Sequence, residues 1–257
     1  MRDLPEDNLS YPVLVQLPNE TGSGFYFRNE QRLYLATALH VLYKPTIPQG
    51  QTLRDNSLKL ISYDRNPTIQ TPIELVIDLS TANIKKHPTK DVVLVEIANL
   101  EEGSKIILSN GVTGNTLTVP PNIVVVPASN LKKFADVLIS NEVFILGYPN
   151  SLGIADDPQI DSMRPLLRKG VIAGTNTSRE TIILDCPVYF GNSGGLAIEV
   201  ERMESGIAYR VIGIVSQFVP FVEQLKSQQL GYTNLSFENS GYSVVIPVDT
   251  ILELIAN

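Results

Sequence analysis

Short apolar runs of strand length alternate with turn-forming residues along almost the whole chain. The runs are rich in Val, Ile and Leu, and 17 glycines and 17 prolines punctuate them. The segments between the runs are clusters of Gly, Pro, Asn and Asp, so successive strands should be joined by turns and not by crossover helices. The sequence therefore predicts an all-β fold with antiparallel strands.

The strand-like runs form two sets, which meet near Pro120-Pro121. Each set holds about six strands, and we expect two antiparallel six-stranded β-barrels, because closure removes exposed sheet edges. We place the N-terminal barrel at residues 1–121 and the C-terminal barrel at residues 122–257. Apolar residues at 248, 251, 252 and 255 have helical spacing and predict a short C-terminal α-helix at 248–256.

Three connections between the predicted strands are unusually long: Tyr43 to Ser57, Asn150 to Pro165 and Val219 to Gly241. We expect loops there, and long loops with little regular structure are often functional. The third mixes apolar side chains with polar ones, so it is a candidate for the wall of a pocket or for the docking site of a regulatory protein partner.

Charge and cysteine content narrow the class of protein further. The net charge is −7 and the longest basic clusters are pairs, which argues against nucleic acid or an anionic membrane as a partner. Cys186 is the only cysteine, so no internal disulfide can form, and a reducing compartment fits. The chain shows neither the apolar run of a signal peptide nor a membrane-spanning stretch, so we expect a soluble, cytoplasmic protein. No cofactor or metal ion is expected.

The stretch Gly191-Asn192-Ser193-Gly194-Gly195 places a serine among glycines. Such a serine can act as a nucleophile, because backbone N–H groups can approach a reacting carbonyl without a Cβ in the way. The same residue types also suit an ordinary polar turn between strands. The stretch alone leaves both interpretations open, and the choice depends on a base and a carboxylate elsewhere in the chain.

Only two histidines could serve as the base. His40 follows a predicted strand in a short apolar turn, a setting that holds an imidazole in one tautomer and one rotamer. A histidine buried for structural reasons is the alternative at this position. His87 lies in a basic loop beside Pro88, and we expect it to be exposed to solvent.

Asp91 is the best candidate for a carboxylate that orients the base. It opens the apolar strand at 91–97, where an acid is costly to bury unless a group such as a histidine N–H pairs with it. A simple cap at the start of a strand is the alternative. Asp64, Asp78 and Asp185 compete for the role, and Asp185 is the closest to the serine in sequence.

Together these stretches resemble the trypsin-like (chymotrypsin-fold) serine peptidases, especially the bacterial branch that includes the HtrA-type proteases. Residues 37–40 are similar to the family's histidine motif, residues 91–95 to its aspartate strand, and residues 191–195 to its serine motif. The order His, Asp, Ser is the one that this fold uses. Weaker matches at Gly147-Tyr148-Pro149 and near the C-terminus extend the resemblance over almost the whole chain.

Two departures from the family pattern stand out. Leu39 takes the place of a small residue in the histidine motif, which bears on local packing. Asn192 replaces the aspartate with which zymogen-activated members receive a newly cut N-terminus, so no activation cleavage is implied. The resemblance covers the protease domain, and we expect no PDZ module in this chain.

The resemblance implies a serine endopeptidase that acts on protein or peptide substrates through an acyl-enzyme on Ser193. It implies that His40 transfers the proton, that Asp91 orients the imidazole, and that the N–H groups of Gly191 and Ser193 form an oxyanion hole. The substrate would be bound by Pro187, Val188, Phe190, Ser216, Gln217 and Phe218.

The same residues bear on specificity. Pro187 and Val188 stand where enzymes that cleave after basic residues carry an acid, so no preference for Lys or Arg is expected. Phe218 would narrow the pocket and favour a small or medium apolar side chain. The alternative function is a protease-fold binding module that is catalytically silent or activated only by a partner.

Overall fold

The computed structural model describes residues 4, 10–46, 50–66, 68–101, 105–114, 117, 122–150, 157–204, 206–226, 229 and 231–256. Most of these residues lie in β-strands. The strands of the first half are β1 (Pro12–Gln16), β2 (Thr21–Asn29), β3 (Arg32–Thr37), β4 (Tyr43–Thr46), β5 (Gly50–Leu53), β6 (Ser57–Ser62), β7 (Ile73–Asp78), β8 (Ile84–Lys86), β9 (Val93–Glu101), β10 (Lys105–Leu108), β11 (Val112–Gly114) and β12 (Val125–Pro127).

The second half contains six strands and the C-terminal helix. They are β13 (Glu142–Gly147), β14 (Leu166–Asn176), β15 (Thr181–Asp185), β16 (Leu196–Met203), β17 (Gly206–Lys226), β18 (Thr233–Pro247) and α2 (Asp249–Ala256). A single helical turn, α1 (Leu39–Leu42), follows β3, and two 3₁₀ turns at Ala128–Asn130 and Phe134–Asp136 lie between the halves.

The second half is a closed barrel. Its strands follow the order β13-β14-β15-β18-β17-β16 and all neighbours are antiparallel, as predicted for this half. The predicted C-terminal helix is also confirmed, and it buries Ile251 and Leu254.

The first half differs from the predicted six-stranded barrel. It is a ten-stranded sheet with the order β10-β9-β3-β2-β1-β6-β7-β11, in which β12 lies beside β2 and β8 beside β9. The pairing of β12 with β2 is parallel, so the sheet is not antiparallel throughout. The strands β8 and β11 have three residues each, too few for apolar periodicity to predict them.

Two of the predicted loops are wrong. Residues 43–46 and 50–53 pair as the antiparallel strands β4 and β5. Strand β17 pairs with β18 as far as Lys226 and Thr233, so most of the segment from Val219 to Gly241 is a hairpin. Val222 and Phe237 face each other in this hairpin, and both are exposed. Neither face of its outer part is buried, which removes the alternation that predicts a strand. Part of the connection from Asn150 to Pro165, residues 151–156, lies outside the described residues.

Apolar packing joins the two halves. One core cluster includes Leu35 and Leu94 from the first sheet together with Leu146 and Leu196 from the barrel. A second cluster fills the barrel itself and includes Ile172 and Val245. The proposed division at 121/122 remains a prediction. In the part of the chain that the structure describes, no helix has the length and apolarity that a membrane crossing requires.

Candidate active site

His40 is held by the helical turn that follows β3. Its neighbours Leu39, Val41 and Leu42 are buried, so they anchor the turn in the core while the side chain of His40 stays 45% exposed. Leu39 is only 6% exposed, which means that the bulky residue in the histidine motif is accommodated by packing inward.

Asp91 lies at the end of the loop between β8 and β9 and receives three hydrogen bonds. The backbone N–H of His40 donates to Oδ1 at 2.9 Å, and Nδ1 of His40 lies 2.7 Å from Oδ2. The hydroxyl of Ser216 donates to Oδ2 at 2.6 Å. A carboxylate partner requires that Nδ1 carries the proton, which leaves Nε2 of His40 as a proton acceptor.

The environment of Asp91 perturbs its acidity in two opposing ways. Burial raises the pKa of Asp91, but the hydrogen bonds from His40 and Ser216 and the charge of His40 outweigh this effect. The net result holds the pKa below its ordinary value of 3.8. The carboxylate therefore stays ionised, and its negative charge stabilises an imidazolium at His40.

We expect Asp91→Asn to lower the free energy of unfolding by roughly 1–3 kcal/mol at pH 7, because charge-assisted hydrogen bonds are lost. A depressed folded-state pKa stabilises the fold above the unfolded value and loses that contribution as the pH falls through the folded value. The difference between parent and variant should therefore shrink below about pH 4. Urea unfolding of the parent and the variant at pH 7 and pH 3 measures this difference, with Asp185→Asn as the control. An equal loss of unfolding free energy at both pH values would contradict the expectation.

Ser193 lies in a turn that is pinned to both halves of the molecule. Gly194 N–H donates to Val215 O at 2.7 Å, and Ser23 N–H donates to Ser193 O at 2.8 Å. Asn192 is buried and its Oδ1 accepts the N–H of Tyr189 at 3.0 Å, so it braces the turn from within. The hydroxyl of Ser193 donates to Ser216 O at 3.1 Å, and no hydrogen bond between Ser193 and His40 occurs among the described residues.

The backbone before Ser193 presents free N–H donors. Phe190 C=O accepts the N–H of Asn150 at 2.7 Å. Because the C=O and N–H of one trans peptide point in opposite directions, the N–H of Gly191 is directed away from Asn150. Within the described residues, nothing accepts a hydrogen bond from the N–H of Gly191 or of Ser193, and both residues line a cleft.

This cleft has a volume of about 770 Å³ and contains His40, Asp91 and Ser193 in its lining. Five of the six residues predicted to bind substrate line it, namely Val188, Phe190, Ser216, Gln217 and Phe218. The sixth, Pro187, is not among the lining residues. Val188 is buried, whereas Phe190 is 69% exposed and packs edge-on against Phe218 with ring centroids 5.8 Å apart.

Several residues of the site could not be found from the sequence. Ser23 is fully buried; its hydroxyl donates to Gly191 O at 2.6 Å and accepts the N–H of Tyr148 at 2.8 Å. Arg54 lines the cleft, donates to His40 O at 2.9 Å and pairs with Glu20. Neither residue belongs to a motif, since Ser23 lies within a glycine-flanked strand and Arg54 in a connection between strands.

The remaining titratable candidates lie elsewhere. Asp64 and Asp78 accept hydrogen bonds from nearby turn residues, and neither lines the cleft, nor does Asp185. The prediction that His87 is exposed is wrong, because its side chain is only 9% exposed and its Nε2 lies 2.9 Å from Glu253. Burial raises the pKa of the Cys186 thiol to about 11, so this thiol is not a nucleophile near neutral pH.

Comparison with known proteins bears on the fold. No protein-family model matches the chain. No curated protein matches it in sequence. Solved structures do match: a serine endoprotease from Yersinia pestis at 16% identity, over 99% of this chain and 67% of that one, with a TM-score of 0.48.

The HtrA-type protease AlgW with a tripeptide matches at 16% identity, over 98% of this chain and 63% of that one, with a TM-score of 0.51. The present chain thus spans roughly two thirds of these proteins. Likeness at such low identity concerns the fold alone, and the resemblance to trypsin-like proteases of the HtrA type is confirmed at that level.

Proposed function

We propose that this protein is a serine endopeptidase that cleaves protein or peptide substrates through an acyl-enzyme on Ser193. One observation carries the proposal: a single cleft contains Ser193, the contact between His40 and Asp91, and two backbone N–H groups that have no acceptor among the described residues. These are the nucleophile, the oriented base and the oxyanion donors that acyl transfer requires.

In the first step, Ser193 Oγ attacks the carbonyl carbon of the scissile peptide and Nε2 of His40 takes the hydroxyl proton. The electron pair of the carbonyl moves to its oxygen, where the N–H groups of Gly191 and Ser193 stabilise the charge. The C–N bond then breaks, and the leaving amine takes the proton from His40. Water, activated by the same imidazole, releases the acyl group.

The hydroxyl of Ser193 has to turn before it can react. It donates to Ser216 O at 3.1 Å in this structure, a long distance for a bond between oxygens. Rotation about the Cα–Cβ bond frees this carbonyl, which could then accept an N–H of the substrate. Backbone pairing with residues 216–218 of β17 is the strand addition that we propose for the substrate.

The walls of the cleft support a preference for a small or medium apolar side chain before the scissile bond. Val188 is buried and apolar, and Phe190 and Phe218 pack against each other across the exposed side. The tripeptide in AlgW is consistent with a peptide ligand in this fold. We assign no substrate contact to Pro187.

The organisation of the chain follows from the same proposal. We propose that the fold is chymotrypsin-like and divided at 121/122, with His40 and Asp91 in the unit built on the ten-stranded sheet and Ser193 in the closed barrel. A cytoplasmic location is proposed from the single cysteine, because such a chain needs no oxidising compartment.

One observation bears on the alternative function, a protease fold that is catalytically silent or acts only when a partner activates it. The Ser193 hydroxyl is bonded to a backbone carbonyl and not to His40. However, catalytic hydrogen bonds are often long or absent before substrate binds, so this geometry is also that of a resting enzyme. The Ser193 bond therefore does not favour the alternative over the peptidase.

Digestion of casein by the purified protein tests the proposed function. We expect fragments whose new C-termini are mainly small or medium apolar residues, as identified by mass spectrometry. A preparation of Ser193→Ala, purified in the same way, controls for contaminating proteases. Equal fragmentation by both preparations would contradict the proposal, and cleavage mainly after Lys or Arg would contradict the specificity.

A further inference from the structure

The loop that carries Asp91 needs to be held in place from outside the cleft. Residues 87–92 connect β8 to β9, and Asp91 must keep three hydrogen bonds of 2.6–2.9 Å to His40 and Ser216. A loop of this kind is free to shift unless its backbone is fixed, and a displacement of about 1 Å in a catalytic group can cost about 100-fold in rate.

Within this loop, the side chain of His87 acts as a hydrogen-bond acceptor. Its Nδ1 accepts the N–H of Lys90 at 2.9 Å and the N–H of Thr89 at 3.2 Å. The His87 backbone N–H also donates to Val92 O at 3.1 Å, which closes the loop around Asp91. Because Nδ1 faces two donors, it must be the unprotonated nitrogen, and the ring proton lies on Nε2.

The other ring nitrogen connects the loop to the C-terminal helix. Nε2 of His87 donates to Glu253 Oε2 at 2.9 Å, across 166 residues of sequence. Lys85, on the strand that leads into the loop, donates from Nζ to Leu254 O at 3.0 Å. Helix α2 is itself fixed, because it buries Ile251 and Leu254 in the core.

We propose that His87 is a positioning residue for the reaction: its Nδ1 shapes the loop that presents Asp91, and its Nε2 anchors that loop to helix α2. This inference rests on the proposed peptidase function for its kinetic consequence. It gives the second histidine of the chain a role in the site although it touches neither Asp91 nor His40 by a hydrogen bond among the described residues.

Two substitutions at His87 distinguish the role of Nδ1 from the role of Nε2. Oδ1 of asparagine lies at the same bond distance from the backbone as Nδ1 of histidine, so His87→Asn keeps the acceptor for Thr89 and Lys90. Nε2 of glutamine corresponds in the same way to Nε2 of histidine, so His87→Gln keeps the donor to Glu253. Thr89→Ala is the matched control, because only the backbone N–H of Thr89 takes part.

We expect His87→Gln to lower kcat/KM for peptide hydrolysis about tenfold or more, mainly through kcat, because Asp91 loses its fixed position. His87→Asn keeps the acceptor inside the loop but loses the anchor to Glu253 on helix α2, so it should lose less, about two- to fourfold. Thr89→Ala should stay within about twofold of the parent. Rates are divided by the amount of protein that a fluorophosphonate labels, so that a loss of folded protein does not count as a loss of rate. The proposal would be overturned if kcat/KM fell equally in His87→Asn and His87→Gln, fell in neither, or fell in His87→Asn alone.

A second readout does not require peptidase activity. The proton on Nδ1 of His40 gives an NMR signal far downfield while it is hydrogen-bonded to Asp91, and His87→Asn or His87→Gln leaves His40 as the only histidine. The signal should persist in His87→Asn and broaden or vanish in His87→Gln. If it persists in both, the positioning role is wrong. If the two variants show this difference in signal but the parent protein cleaves no peptide, the positioning role stands and the proposed function fails.

Discussion

Replacing Ser193 by alanine is expected to lower kcat for peptide hydrolysis by about 10⁶-fold, because it removes the nucleophile of the proposed acyl-enzyme. His40→Ala should cost about as much, since an unactivated hydroxyl is a poor nucleophile. The two residues act as one unit, so the double variant should lose little more than either single variant. Steady-state hydrolysis of a fluorogenic peptide, with unfolding curves for each variant, measures this.

The matched control is Ser178→Ala, which removes an exposed serine whose hydroxyl bonds only to Asn176 among the described residues. It should leave kcat unchanged. If the single losses at Ser193 and His40 multiplied in the double variant, the two residues would act independently, and the proposed proton transfer between them would be wrong.

Gly194→Ala is expected to destabilise the fold by about 3–5 kcal/mol and to abolish peptide hydrolysis. Gly194 has a φ of +88°, and a Cβ there would lie 1.9 Å from Ser23 O and 2.2 Å from Thr37 Oγ1. These atoms belong to buried strands of the first sheet and cannot withdraw, because Thr37 Oγ1 donates to Ser23 O at 2.7 Å. The turn that holds Ser193 must therefore move.

Substitutions at two other glycines distinguish the cost of a positive φ from the cost of a steric clash at the added Cβ. Gly241 has a φ of +86°, but a Cβ there would meet only Asp185 Oδ1 at 4.0 Å, an ordinary contact, so Gly241→Ala should cost only the strain of about 1–2 kcal/mol. Gly174 has neither restriction, and Gly174→Ala should change the free energy of unfolding very little. Chemical denaturation of the three variants tests the order; a Gly194→Ala variant no less stable than Gly241→Ala would contradict the close contact.

Features that depend on neighbouring residues were predictable from the sequence. The spacing of residues 248–255 predicted helix α2, and the strand-like runs of the second half predicted its closed barrel. The motifs also placed His40 and Asp91 as a pair, and the structure brings their side chains within 2.7 Å. In each case the signal lay in a short stretch of chain or in a familiar order of stretches.

Features that depend on distant partners were not predictable. The sequence around His87 predicts an exposed residue of a basic loop, whereas its contact with Glu253 on helix α2 leaves the side chain only 9% exposed. The outer part of the hairpin of β17 and β18 was not predicted, because it has no buried face and its sequence therefore lacks the alternation of apolar and polar residues that indicates a strand. The roles of Ser23 and Arg54 arise from contacts of their side chains with Gly191 O and His40 O, which no local pattern encodes.

Labelling of the native protein with a fluorophosphonate, followed by mass spectrometry of the modified peptide, tests whether Ser193 is an activated nucleophile. We expect prompt modification of Ser193 in the parent, and none after mild denaturation or in His40→Ala. No modification of the native parent by the probe, or modification of another residue, would contradict the claim that Ser193 is an activated nucleophile.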